Sequence, residues 1–128
     1  MADAEAVAAA EKVIGPVLAK TLAEQIDEGN LLGEVGKLAS ELVFRDVWGR
    51  QGLDNHARSL ATLGVLIGKK RLPILRYYAR IAMRNGVTAA ELDEVALQAI
   101  PYAGFPTAVA AARIIREVAA EVAAEQAG

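Results

Sequence analysis

Apolar residues recur at three- and four-residue intervals along most of the chain, which is the spacing of amphipathic helices. Between Leu31 and Phe44, for example, apolar side chains return at Val35 and Leu38. The sequence lacks apolar runs that alternate with polar residues between turns, the pattern of strands. The pattern therefore predicts an all-α fold, a bundle of about six helices in a single domain over residues 1–128.

Glycine, proline and capping residues predict where the helices begin and end. Gly15 and Pro16 separate the first two segments, because proline is tolerated in the first turn of a helix but not in its interior. Thr88 and Glu91 have the spacing of a capping box, and Pro101 is expected to break the helix that this box opens. The predicted segments are Asp3–Val13, Pro16–Asp27, Leu31–Phe44, Asp54–Ile67, a helix from Pro73 to Gly86, one from Thr88 to Pro101, and Pro106–Glu125.

The stretch Val47–Ile67 is the predicted centre of both the core and the site. Its loop, Asp46–Asp54, carries Trp48 and Arg50 on a backbone that two glycines leave free to turn. The helix that follows is apolar on every side beyond its first turns. It is therefore expected to be buried, with its few polar groups meeting partners or a ligand.

Two polar side chains at the start of this helix are candidates for a site. At about 100° per residue, His56 shares a face with Leu60 and Leu63, whereas Arg58 falls roughly opposite, with Val65. His56 and Arg58 are therefore not expected to share one pocket within a subunit. Either one of them is structural, or the opposite face meets another element or subunit.

The next helix has an apolar face with Tyr78 in its middle and a ladder of arginines, Arg76, Arg80 and Arg84, on the other side. Like charges at four-residue spacing repel one another. The ladder is therefore expected to have acidic partners elsewhere or to bind an anion. The plainer alternative is a solvated face that is balanced by acids of another subunit.

The polar residues of the last two helices are interpreted as ordinary surface groups. Glu91, Glu94 and Gln98 fall on the outward side of their helix, away from its apolar positions. Arg113 and Glu117 have the four-residue spacing of an ion pair on a helix surface.

Composition indicates more apolar surface than one small subunit can cover. The chain has 128 residues, 54% of them hydrophobic and only 5% aromatic, and its mean hydropathy is +0.26. Because a small domain has a large surface to cover with polar groups, this excess predicts a homo-oligomer. No apolar run approaches the roughly 18 residues of a membrane span, and the acidic first residues do not resemble a signal peptide. A cytoplasmic protein without a membrane partner is expected.

Charge and residue usage exclude several classes of function. The net charge of −2, from 14 basic and 16 acidic residues that are interspersed, argues against a nucleic-acid partner. The absence of cysteine removes disulfides, thiolate metal sites and thiol nucleophiles. With one histidine and no metal-ligand spacing, no metal site is predicted. The expected partners are a small-molecule substrate and further copies of the chain.

Four blocks stand out between about Lys12 and about Val118: WGRQGLD, RSLATL, RNGVTAAELDEV and YAGFPTA. In this order and spacing they resemble the signature blocks of the carboxymuconolactone decarboxylase family. The resemblance implies an all-helical subunit that assembles as a trimer or hexamer. The lack of cysteine excludes the alkylhydroperoxidase-like branch of the superfamily, whose members work through a Cys-x-x-Cys pair.

The helix that carries Tyr78 departs from the family pattern. In the family the matching helix usually has a glutamate and a histidine, and the histidine is thought to serve the active site. Here Ile74 and Tyr78 occupy those positions, whereas Arg80, Asn85 and Gly86 match. The resemblance therefore implies an inherited pocket with a changed reaction. The ordinary pKa of tyrosine is higher than that of histidine, so tyrosine is better suited to donate a proton than to act as a general base.

Decarboxylation without a cofactor needs a cation or dipole that holds the carboxylate, an acid that protonates the developing enolate, and a dry pocket. Arg50 or Arg58 could hold an anion through two guanidinium nitrogens. Tyr78 and His56 are the candidate catalytic residues for proton transfer. The candidate walls of the pocket are the aromatic side chains of Trp48, Tyr102 and Phe105.

Each candidate also has a structural interpretation. The aromatic walls could be ordinary packing, Tyr78 a core tyrosine, His56 a locally bonded side chain and Arg58 the partner of a carboxylate. Three functions stay open. The first is a cofactor-independent lyase or isomerase acting on a small carboxylated lactone or keto-acid-like substrate. The second is 4-carboxymuconolactone decarboxylase activity in aromatic catabolism, and the third is a non-catalytic oligomeric binding protein.

Overall fold

The computed structural model describes residues 2–128, and every regular element in that range is helical. The all-α prediction is confirmed, with seven α-helices and one π-helical segment against the expected six or so. None of these helices combines the length and the apolar composition needed to cross a membrane. By its contacts the chain divides into two compact units, one ending at Asn55 and one running from His56 to Gly128. The single domain over residues 1–128 stays a prediction.

The first unit consists of three α-helices and the π-helix. Helix α1 spans Ala4–Ile14, α2 spans Pro16–Asp27 and α3 spans Leu31–Leu38, and the π-helix continues α3 over Ala39–Val47. Helix α1 packs against both α2 and the π-helix, and α2 packs against α3. The local signals place the helix starts correctly: Asp3 caps α1 and Pro16 opens α2.

Two glycines that weaken α3 as an isolated helix are required by its packing on α2. A Cβ added at Gly33 would lie 2.8 Å from the carbonyl oxygen of Gln25, and one at Gly36 would lie 3.1 Å from the Leu22 side chain. Both glycines are buried. Each glycine destabilises the isolated helix by roughly 1 kcal/mol relative to alanine. In return, it allows α3 to approach α2 closely.

The predicted helix Leu31–Phe44 is longer than expected and changes its hydrogen bonding on the way. At the end of the π-helix the N–H of Trp48 donates to the carbonyl of Val43, five residues earlier, at 2.8 Å. The start of the predicted loop Asp46–Asp54 is therefore wrong, because its first two residues belong to the π-helix. Such wide turns are rare, and the spacing of apolar residues does not reveal them.

The second unit consists of four α-helices. Helix α4 spans Asn55–Gly68, starting at the last residue of the first unit, α5 spans Leu72–Arg84, α6 spans Ala89–Ala103 and α7 spans Phe105–Ala127. Helix α7 packs against α5 and α6. All four helices contribute to one buried apolar cluster, whose members are Leu63, Ile67, Leu75, Ala79, Ala82, Val87, Leu92, Ala96, Ala111, Ile115 and Val118.

Helix α4 is not buried on every side, as its all-round apolar sequence predicted. Its buried residues are Ser59, Leu63 and Ile67, which follow one another at four-residue intervals. On another side Val65 is 58% exposed. The prediction is wrong for the single subunit because the outward side also holds small residues such as Gly64, which gain little from burial.

Helix α6 begins with the predicted capping box and continues through a proline. The N–H of Glu91 donates to Thr88 Oγ1 at 3.1 Å, and the N–H of Thr88 donates to Glu91 Oε1 at 2.9 Å. The prediction that Pro101 breaks the helix is wrong, because α6 runs on to Ala103. Proline has a helical φ and removes only its own N–H, and the helix ends within a turn of it, at Gly104.

The arginine ladder of α5 faces acids of α7 in the same chain. Arg76 bonds to Glu117, and Arg80 bonds to Glu125. Acidic partners for these two arginines are confirmed, and they come from the same subunit. The predicted pairing of Glu117 with Arg113 is wrong, because the packing of α5 on α7 brings Arg76 to the Glu117 carboxylate.

Candidate functional site

The single histidine of the chain is held by a carboxylate. His56, in the first turn of α4, has its Nε2 atom 3.1 Å and 3.0 Å from the two carboxylate oxygens of Glu91, in the first turn of α6. The two side chains are 36% and 40% exposed. The pair is therefore fixed in geometry and still accessible to a small molecule.

Glu91 is ionised at neutral pH. The backbone N–H of Thr88 and then the His56 ring hold the pKa of the Glu91 carboxyl below its ordinary value. An ionised carboxylate only accepts hydrogen bonds, so Nε2 of His56 carries a proton and donates it. A carboxylate in this position orients the imidazole through the hydrogen bond to Nε2.

The interpretation of Glu91 as an ordinary surface group is wrong. The capping turn places its carboxylate between the Thr88 N–H and the His56 ring, so that one side chain closes the cap and binds the histidine. The capping box was visible in the sequence. Its second partner was not, because His56 is 35 residues away in the chain.

A hollow of about 640 Å³ lies between α4 and α6. We refer to it as the α4–α6 hollow. Its floor is largely apolar, with Leu60 and Val95 among its residues, and its rim carries Glu91, Glu94 and Gln98. Glu94 and Gln98 therefore line a hollow rather than a plain surface. Two carboxylates on the rim repel a bound carboxylate, so this hollow does not by itself attract a carboxylate group.

Two of the three aromatic residues predicted as pocket walls line different hollows of the second unit. Tyr102 lies on the rim of the α4–α6 hollow and is 83% exposed. Phe105, at the start of α7, is 67% exposed and lines a separate hollow of about 380 Å³ between α6 and α7. Tyr102 and Phe105 therefore do not line one shared hollow within the subunit.

Tyr78 lies on α5, half-buried against the apolar cluster of the second unit. Burial raises the pKa of its hydroxyl above the ordinary value of 10.0, so at neutral pH it can donate a proton or hydrogen bond but does not act as a base. The residues around the α4–α6 hollow do not include His56, Tyr78 or Arg58. Arg58, in the second turn of α4, has its Nε atom buried.

In the first unit, Trp48 and Arg50 line one hollow of about 440 Å³. We refer to it as the first-unit hollow. Trp48 is only 7% exposed and forms a wall of the hollow with Phe44. Lys12 of α1 and Asp54 also line this hollow. Together with Arg50, its charged lining therefore consists of two cations and one carboxylate. The sequence offered no signal for Lys12, because nothing in an exposed lysine on a helix distinguishes it from its neighbours.

A family model matches residues 33–117, and its description is the carboxymuconolactone decarboxylase family. The chain belongs to this family. The resemblance stated from the sequence is therefore confirmed. The matched range includes His56 and Glu91 as well as Trp48 and Arg50, whereas Lys12 lies before it.

Two similar proteins are named as decarboxylases. The 4-carboxymuconolactone decarboxylase of Acinetobacter baylyi is 42% identical over 79 residues, which are 62% of this chain and 59% of that protein. The nitrosuccinic acid decarboxylase npaB of Metarhizium robertsii is 43% identical over 75 residues, which are 59% of this chain and 52% of that protein. The chain thus matches little more than half the length of either relative.

Proposed function

We propose that the protein is a decarboxylase-type lyase that acts without a cofactor on a small carboxylated lactone or keto-acid-like substrate. The observation that carries the proposal is the His56–Glu91 pair, of which Glu91 also lines the α4–α6 hollow. The two relatives support it, because their names describe decarboxylation of two different acids. The loss of CO2 is thus common to them, whereas the rest of the substrate is not.

Proton transfer is the step that the His56–Glu91 pair can perform. Loss of CO2 breaks the bond between the carboxyl carbon and its neighbour and leaves the electron pair on the substrate as an enolate or a similar anion. That anion must then be protonated. Because Nε2 of His56 is bonded to Glu91, Nδ1 of the protonated ring is the atom that gives its proton to the substrate. Water then restores the proton to the ring.

The surroundings of the pair favour the loss of charge at the leaving carboxylate. The apolar floor of the α4–α6 hollow solvates a carboxylate poorly, and the Glu91 and Glu94 carboxylates on its rim repel it. The electron pair stays on the substrate as a delocalised enolate, which apolar surroundings destabilise less than a compact carboxylate, so poor solvation of the carboxylate lowers the barrier to loss of CO2. Substrate binding must then depend on contacts with other parts of the substrate.

Tyr78 is a second candidate proton donor. Its raised hydroxyl pKa keeps it protonated at neutral pH, which suits hydrogen bonding to the developing anion. An isomerisation would use the same proton transfers without release of CO2. The reaction class is therefore decided by measuring CO2 and substrate absorbance in the same assay.

The test is an assay of CO2 release from 4-carboxymuconolactone, nitrosuccinic acid and a set of carboxylated lactones and keto acids. His56→Gln is expected to lower kcat by about 10²–10⁴-fold, the usual contribution of a positioned acid or base. Tyr78→Phe is expected to lower kcat if its hydroxyl donates to the substrate anion. Tyr77→Phe is the matched control, because Tyr77 is the neighbouring tyrosine and is 60% exposed; its kcat should equal that of the wild type.

Turnover that is indifferent to both His56→Gln and Tyr78→Phe would refute these roles. If the folded wild type released no CO2 and isomerised none of these compounds, the lyase proposal would fail and a non-catalytic binding protein would remain. A kcat/KM that is highest for 4-carboxymuconolactone would establish the second candidate function, for which the 42% identity to the Acinetobacter baylyi enzyme is the specific ground.

A further inference from the structure

We propose that the first-unit hollow is a binding site for a small organic carboxylate, held by Lys12 and Arg50 against the wall formed by Trp48. The inference that such an anion binds there depends on the first unit alone. The carboxylate that leaves as CO2 is not placed here, so the inference stands apart from the proposed function.

The charges of the hollow favour an anion. Lys12 comes from α1 and Arg50 from the turn after the π-helix, so two cations that are distant in the sequence line one hollow. None of the ion pairs within residues 2–128 involves Lys12. Arg50 has five N–H donors in a fixed fork, so it can keep a bond within the protein and still donate to a carboxylate. Asp54 offsets only one of the two positive charges.

The shape of the hollow suits a carboxylate that is attached to a flat or apolar body. Trp48 and Phe44 provide aromatic surface, and the volume of about 440 Å³ lies within the range of small-molecule sites, roughly 300–1,000 Å³. Such a site combines an apolar wall with a few polar groups that fix the orientation of the ligand.

The backbone around the hollow is held in an unusual conformation. Trp48 ends the π-helix, a type of turn that is frequent at functional sites. Directly after it, the chain at Gly49 passes so close to the π-helix that an added Cβ would lie 2.2 Å from the carbonyl oxygen of Arg45. This close approach fixes the point from which Arg50 extends.

Trp48 is the only tryptophan of the chain, so intrinsic fluorescence reports on this hollow directly. The full chain is titrated with benzoate, and with benzamide as the neutral analogue of the same shape. We expect a saturable fluorescence change with benzoate and a much weaker response to benzamide. Isothermal titration calorimetry of the same pairs measures binding independently of the optical signal.

Variants then assign the binding to the two cations. Lys12→Gln and Arg50→Gln should each raise the Kd for benzoate by about tenfold, as the loss of a charge-assisted hydrogen bond does. Lys20→Gln is the matched control, because Lys20 is an exposed lysine of α2 outside the hollow and its replacement changes the net charge equally. Its Kd should stay within twofold of the wild type. Circular dichroism verifies that each variant is folded.

Equal binding of benzamide and benzoate, the absence of benzoate binding by both methods, or a Kd unchanged by Lys12→Gln would overturn the inference. A protein that binds benzoate through Lys12 but decarboxylates nothing would keep this site and refute the proposed function. A protein that decarboxylates a substrate but binds no benzoate would keep the proposed function and refute this site.

Discussion

Replacement of Gly49 by alanine is predicted to displace the turn that carries Trp48 and Arg50. The added Cβ would lie 2.2 Å from the carbonyl oxygen of Arg45 and 3.4 Å from its carbonyl carbon. Both are backbone atoms of the π-helix, so no side-chain rotation can relieve the contact. Gly52, three residues later, provides the matched control, because a Cβ there would meet no atom within 4 Å.

The size of the effect follows from these distances. Real Cβ contacts shorter than 3.0 Å essentially never occur, so a contact of 2.2 Å must open by at least 0.8 Å, the difference between the two values. Backbone shifts forced by an extra methyl group cost about 1–3 kcal/mol in folding free energy. The free energy of unfolding of Gly52→Ala should equal that of the wild type or exceed it by up to about 0.4–1 kcal/mol, because alanine reduces the conformational freedom of the unfolded chain.

Thermal unfolding, followed by circular dichroism and by Trp48 fluorescence at one fixed protein concentration, measures the difference. For a chain of this length 1 kcal/mol changes Tm by roughly 3–5 °C, so a loss of about 2 kcal/mol lowers the Tm of Gly49→Ala by roughly 6–10 °C. Gly49→Ala should also bind benzoate more weakly, since Arg50 moves with the turn. If Gly49→Ala had the same Tm as the wild type and Gly52→Ala, the close approach of Gly49 to the Arg45 carbonyl would be refuted. The placement of Arg50, which depends on that approach, would be refuted with it.

Other predictions concern the second unit and the assembly. Glu91→Gln should lower kcat about tenfold or more, but its Tm should stay close to that of the wild type because glutamine can still close a capping box. Glu91→Ala should lower both kcat and Tm. Steady-state kinetics and melting curves measure the two effects. The folded pKa of Glu91 lies below its ordinary value of 4.5, so its contribution to stability is present above about pH 4.5 and is lost as the pH falls through the folded pKa. The Tm difference between wild type and Glu91→Ala should accordingly narrow from pH 7 to pH 3. Leu63→Ala removes a fully buried side chain and should lower the free energy of unfolding by about 2–5 kcal/mol in urea titrations. Light scattering should give a mass several times 13.5 kDa, because Leu31, Leu38 and Leu42 are exposed in the single subunit; a monomer at micromolar concentration would contradict the predicted oligomer.

Helix starts were predictable because their signals are local. Pro16 and Thr88 open α2 and α6 where the sequence indicates. Each of these signals acts within a few residues, so no knowledge of the packing is needed. The same holds for the apolar spacing that identifies the helices and hence the all-α class.

Features that depend on packing between helices were not predictable in this way. The π-helix keeps the apolar spacing of an ordinary helix closely enough to be hidden by it. The arginine ladder of α5 was expected to need acidic partners, but its pairing with Glu117 and Glu125 requires the packing of α5 on α7. Likewise, Lys12 lines the first-unit hollow only because α1 packs on the π-helix that leads to Trp48.

Glu91 shows why half of the proposed proton-transfer pair escaped prediction. A glutamate in a capping box is commonly regarded as satisfied, yet a carboxylate has two oxygens and about four acceptor positions, so the cap leaves capacity for another donor. His56 uses that capacity from α4. The resemblance to the family indicated a loss of proton-transfer groups, since Ile74 and Tyr78 replace the usual glutamate and histidine on α5. The fold nevertheless brings a histidine and a glutamate into contact from two other helices, α4 and α6. Because proton transfer requires this contact and not a particular motif position, variants of His56 and Glu91 test the proposed reaction more directly than any change at Ile74.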